Sequence, residues 1–122
     1  MELGSIGDTI AIELALLERR YQCVKWPDQV YKLREADSRE TDPFLHISEE
    51  VGEIAKALSE GVPDIDLAEE ICQVTALGLA WLGDALCGNP FLRQKLRDKL
   101  LAKTRKLEIE RAQANHTRWL LK

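Results

Sequence analysis

The chain is poor in the residues that build soft-metal or cross-linked sites: two histidines, three cysteines and one methionine in 122 residues. Cys23, Cys72 and Cys87 are odd in number and lack C-x-x-C spacing, which argues against a disulfide framework and a zinc site and fits a reduced, cytoplasmic setting. They read as core filler, with Cys72, beside the candidate site, the one worth testing for reactivity. His46 and His116 do not stand at ligand spacing. No apolar run approaches the roughly 18 residues of a membrane span, and the first residues lack a basic stretch followed by a long apolar one. The expectation is a soluble, unexported protein with no membrane partner. Proline is scarce too, and Pro27, Pro43, Pro63 and Pro90 all fall where helices are expected to stop or start.

What is present is apolar and charged residues in helical order, 45% and 31% of the chain. That fits one domain over residues 1–122 with a real but small core, for which oligomerisation is a natural supplement. The formal charge of -4 is unevenly spread: residues 89–122 hold ten Lys/Arg against three Asp/Glu, and the remainder of the chain is acidic. A basic terminal helix could bind nucleic acid, contact substrate phosphates or pair with an acidic body, its own or a second subunit's. The acidic overall balance disfavours nucleic acid as the principal ligand.

The spacing predicts an all-α fold of four main helices, about 8–25, 43–60, 64–87 and 90–120. Asp8 can cap a first helix whose apolar positions are Ile10, Leu14, Leu17, Tyr21 and Val24. Residues 26–42 read as a long connection with a short helical turn at about Val30 to Glu35. Asp42-Pro43 is a cap and first-turn signal; Phe44, Ile47, Val51, Ile54 and Leu58 then make one stripe, and Gly61 ends it. After the tight link Val62-Pro63-Asp64, the third helix is the most apolar and is expected to be the most buried. Asn89-Pro90 opens the fourth, along which Leu92, Leu96, Leu100 and Leu107 follow helical spacing.

The short link makes the second and third helices antiparallel neighbours, and each carries an acidic cluster, Glu49-Glu50-Val51-Gly52-Glu53 and Asp66-Leu67-Ala68-Glu69-Glu70-Ile71-Cys72-Gln73. Residues three apart share a helix face, so Glu50 with Glu53, and Glu70 with Gln73, can converge across an ordinary packing distance of roughly 8 to 10 Å. Such hard oxygen donors suit magnesium rather than zinc or iron, with manganese a possible substitute. The plainer alternative is a solvated acidic face. Gly52 costs a helix interior about 1 kcal/mol relative to alanine, so its place between the acids implies a close approach of backbone or ligand.

These residues, together with Glu18-Arg19-Arg20-Tyr21-Gln22-Cys23-Val24-Lys25-Trp26 and the run Glu70 to Trp81, resemble the MazG-like all-α nucleoside triphosphate pyrophosphohydrolases, in particular a bacterial and phage-type subgroup. The resemblance covers about residues 13–87. It implies an oligomeric helical bundle, a homodimer or dimer of dimers. The implied reaction is magnesium-dependent cleavage of a nucleoside triphosphate between its α- and β-phosphates. Glu50, Glu53, Glu70 and Gln73 would be metal ligands, and Glu49 a further ligand or the group that orients the attacking water. Gln73 departs from the aspartate of the better-known branches, and a non-catalytic nucleotide-binding or interaction module on the same fold is the alternative it raises.

Around this site, Lys25 and Arg19 or Arg20 are candidates for the outer phosphates, and Trp26 for stacking on a base or for the core. Lys56 reaches a phosphate or, more plainly, pairs with Glu60 at i+4. Pro27 stands where the resembling sequences more often have glycine. His46 lies one turn before Glu50, which suits a cap or surface position better than the site. Asp66 serves the start of its helix, and Asp84 is expected to find a buried partner such as an arginine of the fourth helix.

Overall fold

The computed structural model describes residues 5–121. Among them all regular structure is helical, with α1 (Ile6–Lys25), a 3-10 turn (Arg39–Thr41), α2 (Pro43–Glu60), α3 (Asp64–Cys87) and α4 (Pro90–Leu120). No described helix is long and apolar enough to cross a membrane. The chain divides into two compact units, the first ending at Ala85 and the second starting at Leu86.

The boundaries follow local chemistry. Ser5, not Asp8, caps α1: its side chain accepts the Asp8 N–H at 3.2 Å, and Asp8 becomes a first-turn acid that favours the positive end of the helix. Asp42 caps α2 through the Leu45 N–H at 3.2 Å with Pro43 next to it, and Asn89 does the same for α4 through Leu92 at 3.0 Å before Pro90. Gly61 closes α2 in the left-handed region, φ 64°. The helical turn expected at Val30 to Glu35 is displaced to Arg39–Thr41, where Ser38 and Thr41 satisfy each other's backbone N–H groups.

In the first unit, α1, α2 and α3 meet through a core of small residues. Ala15, Ala57, Ala76, Leu77 and Ala80 are buried, joined by Tyr31 from the long connection. Tyr31, Leu77 and Ala80 form one cluster against which Ile47 and Trp81 pack. Alanine at these positions lets backbones approach closely, which brings side chains of facing helices within hydrogen-bonding reach. The connection is tied down by Trp81, whose indole N–H donates to the carbonyls of Lys32 (2.9 Å) and Leu33 (3.2 Å).

The apolar stripe expected to seat α1 stays in solvent. Ile10, Leu14, Leu17, Tyr21 and Val24 are each at least half exposed, while Ala15 and Gln22 are the buried residues of that helix. The cysteines are not core filler: Cys23 and Cys87 are exposed and Cys72 is half-buried. In the second unit no residue of α4 is buried. Its surface is held locally, by Gln94 Nε2 donating to Asp98 Oδ1 at 2.9 Å and by the Lys95 ammonium 4.8 Å above the Phe91 ring.

Candidate functional site

Between α1, α2 and α3 of the first unit lies a cavity of about 390 Å³ whose lining includes Glu18, Gln22, Lys25, Trp26, His46, Glu49, Glu50 and Gln73. Each helix contributes by its own period. Glu18, Gln22 and Lys25 follow one another at i+4 and i+3 on α1, and His46 and Glu50 are one turn apart on α2.

At the edge of the cavity α2 and α3 cross so that Gln73 reaches both acids. Its amide end lies 2.6 Å from Glu50 Oε2 and 3.1 Å from Glu70 Oε2, and the amide nitrogen donates to both. With the carbonyl turned inward instead, three oxygens would meet, an arrangement that needs a cation between them. Glu50 is partly buried beside like charges, so its carboxyl is pushed above the usual range. Burial is the chief cause, followed by the charge of Glu70, a carboxyl–carboxyl hydrogen bond to Glu70, and the charges of Glu53 and Glu49.

Glu53 and Lys56 line a smaller neighbouring hollow with Glu60 and Glu70. Glu53 is close enough to act on Glu50 through its charge, without lining the main cavity. Among the described residues no three His, Cys, Asp or Glu side chains are grouped to hold a metal ion; two carboxylates and the Gln73 amide are the set that converges. Gly52 meets no protein atom within 4 Å of where a Cβ would stand, so the close backbone approach expected there is not made within this chain.

Also lining the cavity, the Lys25 ammonium sits 4.7 Å above the Trp26 ring and 5.9 Å from that of Tyr21, and Trp26 is 46% exposed. Glu49 faces the cavity and forms an exposed ion pair with Arg39 at 3.6 Å. Arg19 turns elsewhere. It pairs with Asp84 at 3.7 Å, and Asp84 also accepts the Tyr31 backbone N–H, so the partner of Asp84 comes from α1 and the connection rather than from α4.

Three participants were not assigned to the site from sequence. His46, expected at a cap or the surface, borders the cavity and hydrogen-bonds through Nδ1 to the Tyr31 hydroxyl at 2.7 Å. Gln22 is only 6% exposed, and its buried Oε1 has no partner while its side chain hydrogen-bonds to Glu18. Glu18 itself is raised above the usual carboxylate range by burial and by the charge of Glu69, with the Gln22 hydrogen bond and Lys25 opposing. A signal for these two existed in the sequence, a glutamate and a glutamine at i and i+4 on one face of α1.

A second, apolar hollow lies between α1 and α3, with Leu14, Leu17, Ile65 and Cys72 on its walls. Cys72 Sγ donates to the Leu14 carbonyl at 3.3 Å, and burial together with Glu18 and Glu69 pushes its thiol up. Those surroundings disfavour the thiolate form.

No protein-family model, curated protein or solved structure matches this chain. What the site can do follows from its donors. One wall offers carboxylates and an amide, suited to a hard cation and to a water molecule that must lose a proton. Lys25 and Trp26 offer a cation and an aromatic face, suited to an anionic ligand with a planar ring.

Proposed function

We propose that this chain is a magnesium-dependent nucleoside triphosphate pyrophosphohydrolase of the MazG-like type, yielding a nucleoside monophosphate and pyrophosphate. The observation that carries the proposal is the meeting of Glu50, Glu70 and the Gln73 amide end within 3.1 Å at the edge of a cavity that Lys25 and Trp26 also line.

The donor set fits a hard divalent ion. Glu50 and Glu70 would hold it, Gln73 would offer its carbonyl after a half-turn of the amide, and Glu53 stands near enough to add charge. Magnesium, or manganese in its place, would neutralise phosphate charge and make the α-phosphorus a better electrophile. Water adds to that phosphorus, the bond to the bridging oxygen of the β-phosphate breaks, and pyrophosphate leaves. Glu49, which lines the cavity, would orient the water and take its proton. Lys25 would contact the outer phosphates, Trp26 would stack on the base, and the unpartnered Gln22 Oε1 would accept from an N–H or O–H of the ligand. Arg19 is engaged by Asp84 and Lys56 lines the smaller hollow, so neither is assigned a phosphate.

The uncovered apolar face of α1, with Leu14, Leu17 and Tyr21 each half exposed or more, supports self-association as a homodimer or dimer of dimers. A monomer by sedimentation would remove that element. The proposed setting is the cytoplasm.

A second reading is favoured by Gln73 itself. Its N–H groups satisfy Glu50 and Glu70 with no ion present, as befits a nucleotide-binding module without hydrolysis. Incubation with magnesium and a panel of ribo- and deoxyribonucleoside triphosphates, alongside Glu50→Gln, decides between them. Pyrophosphate release that the variant lacks establishes the enzyme. Binding without release, with magnesium still raising the melting temperature, establishes the module.

A further inference from the structure

Tyr31 is buried, 2% exposed, and is held from three directions. Its backbone N–H donates to Asp84 Oδ2 at 3.0 Å, its ring packs with Leu77 and Ala80, and the residues after it accept the Trp81 indole N–H. Its hydroxyl meets His46 Nδ1 at 2.7 Å, with the two rings edge to face at 74°. His46 is held from its own side because Ile47, the next residue, packs on the same cluster.

This geometry constrains where the imidazole proton sits. Among the described residues, Nδ1 is the only acceptor within reach of the Tyr31 hydroxyl. If His46 carried its proton on Nδ1, that N–H would donate to the phenol oxygen, and the phenol hydrogen would be left in the core with no acceptor. If the phenol donates to Nδ1, the phenol hydrogen and Nδ1 satisfy each other and the imidazole proton resides on Nε2. Among the described residues no group engages Nε2, and the ring borders the cavity that holds Glu49, Glu50 and Gln73.

We propose that Tyr31 is a positioning residue that fixes the Nε2–H tautomer of His46, and that His46 presents this N–H to the cavity as a hydrogen-bond donor for a phosphate oxygen of the ligand. The identity of the ligand rests on the reaction proposed above; the tautomer does not. The two carboxylates on the same wall repel a phosphate, so a neutral donor among them gives an anionic oxygen a point of contact without giving Glu50 a cationic partner or displacing Arg39 from Glu49.

The tautomer is read directly from long-range proton–nitrogen-15 spectra of the free protein at pH 8, in a His116→Gln background so that His46 is the only histidine. The expected result is an unprotonated Nδ1 and a protonated Nε2, and collapse toward the mixed pattern of free imidazole in Tyr31→Phe. A dominant Nδ1–H in the unsubstituted Tyr31 protein overturns the proposal, whether or not Tyr31→Phe folds.

Magnesium pyrophosphate is then titrated in. The expected result is a shift of the Nε2–H signal, with affinity lowered about tenfold by His46→Leu and largely retained by His46→Gln, whose amide N–H can stand in for Nε2–H. Shifts at the backbone amides of Lys25 and Glu50 with His46 unmoved overturn the contact to phosphate while leaving the proposed reaction standing. No shift anywhere in the cavity overturns both.

Discussion

Asp84, near the end of α3, accepts the backbone N–H of Tyr31 at 3.0 Å across a separation of 53 residues, and the same carboxylate pairs with Arg19 at 3.7 Å. One side chain thus fastens α1 and the long connection to α3, directly behind the tyrosine that supports His46. Asp84→Ala leaves a backbone N–H without its acceptor and Arg19 without its counter-charge. The expected loss is about 2 kcal/mol of unfolding free energy, with Asp84→Asn losing less because it keeps an acceptor. Urea titrations of the three proteins check this, and equal midpoints would mean that solvent satisfies both partners.

The glycines separate by backbone rather than by space. Gly61 has φ 64°, so Gly61→Ala is expected to cost about 1 kcal/mol, although nothing would touch the new methyl group. Gly52 lies inside α2 with equally open surroundings, and Gly52→Ala is expected to stabilise an isolated chain by about 0.5 to 1 kcal/mol. Thermal melts of both variants test the contrast. If Gly52→Ala destabilises instead, and does so in a concentration-dependent way, a second copy occupies the space beside it.

How far the sequence could be read depends on the range of the interaction. Helix ends were legible because Asp42-Pro43, Gly61 and Asn89-Pro90 act on backbone groups within a few residues. Asp8 was misread only because Ser5, three residues earlier, is an equally good cap. The meeting of Glu50 with Glu70 and Gln73 was legible too, since helical period and a short link suffice to bring them together. The partners of Asp84 and His46 were not, because both lie in or beyond a connection whose path no local rule determines. Nor was the exposure of Leu14 and Leu17: periodicity shows that a face is apolar, not that the same chain covers it.

Tyr31 gives a pH dependence on the alkaline side. Burial raises its phenol above the ordinary range; Asp84 adds to the shift and Arg19 opposes it. A group whose folded pKa is raised contributes stability that is present below its unfolded pKa, near 10, and lost as pH rises through the folded value. The unfolding midpoint is therefore expected to fall steadily above pH 10, and less so in Tyr31→Phe if that variant folds. In Tyr21→Phe, where Tyr31 is the remaining tyrosine, phenolate absorbance is expected to rise only above pH 10. Absorbance developing at or below pH 10 would contradict the burial described here.

Glu50 sets stability against the proposed activity. Its carboxyl is raised by burial and by Glu70, Glu53 and Glu49, so its ionisation at neutral pH works against the fold. The sign is again that of a raised group: the contribution is intact below the ordinary carboxylate range and lost as pH climbs through the folded value. Glu50→Gln removes that charge and still offers the Gln73 N–H an acceptor. In metal-free buffer at pH 7 the variant is thus expected to melt above the wild type, and the gap is expected to close as pH falls below about 4.5. Magnesium should reverse the order, because it stabilises only the protein that keeps the charge. Melting curves at two pH values, each with magnesium and with a chelator, give all four comparisons. A wild-type protein that is the more stable at pH 7 without metal would show that the Glu50–Gln73–Glu70 contact is a structural tie rather than a site held ready for a cation.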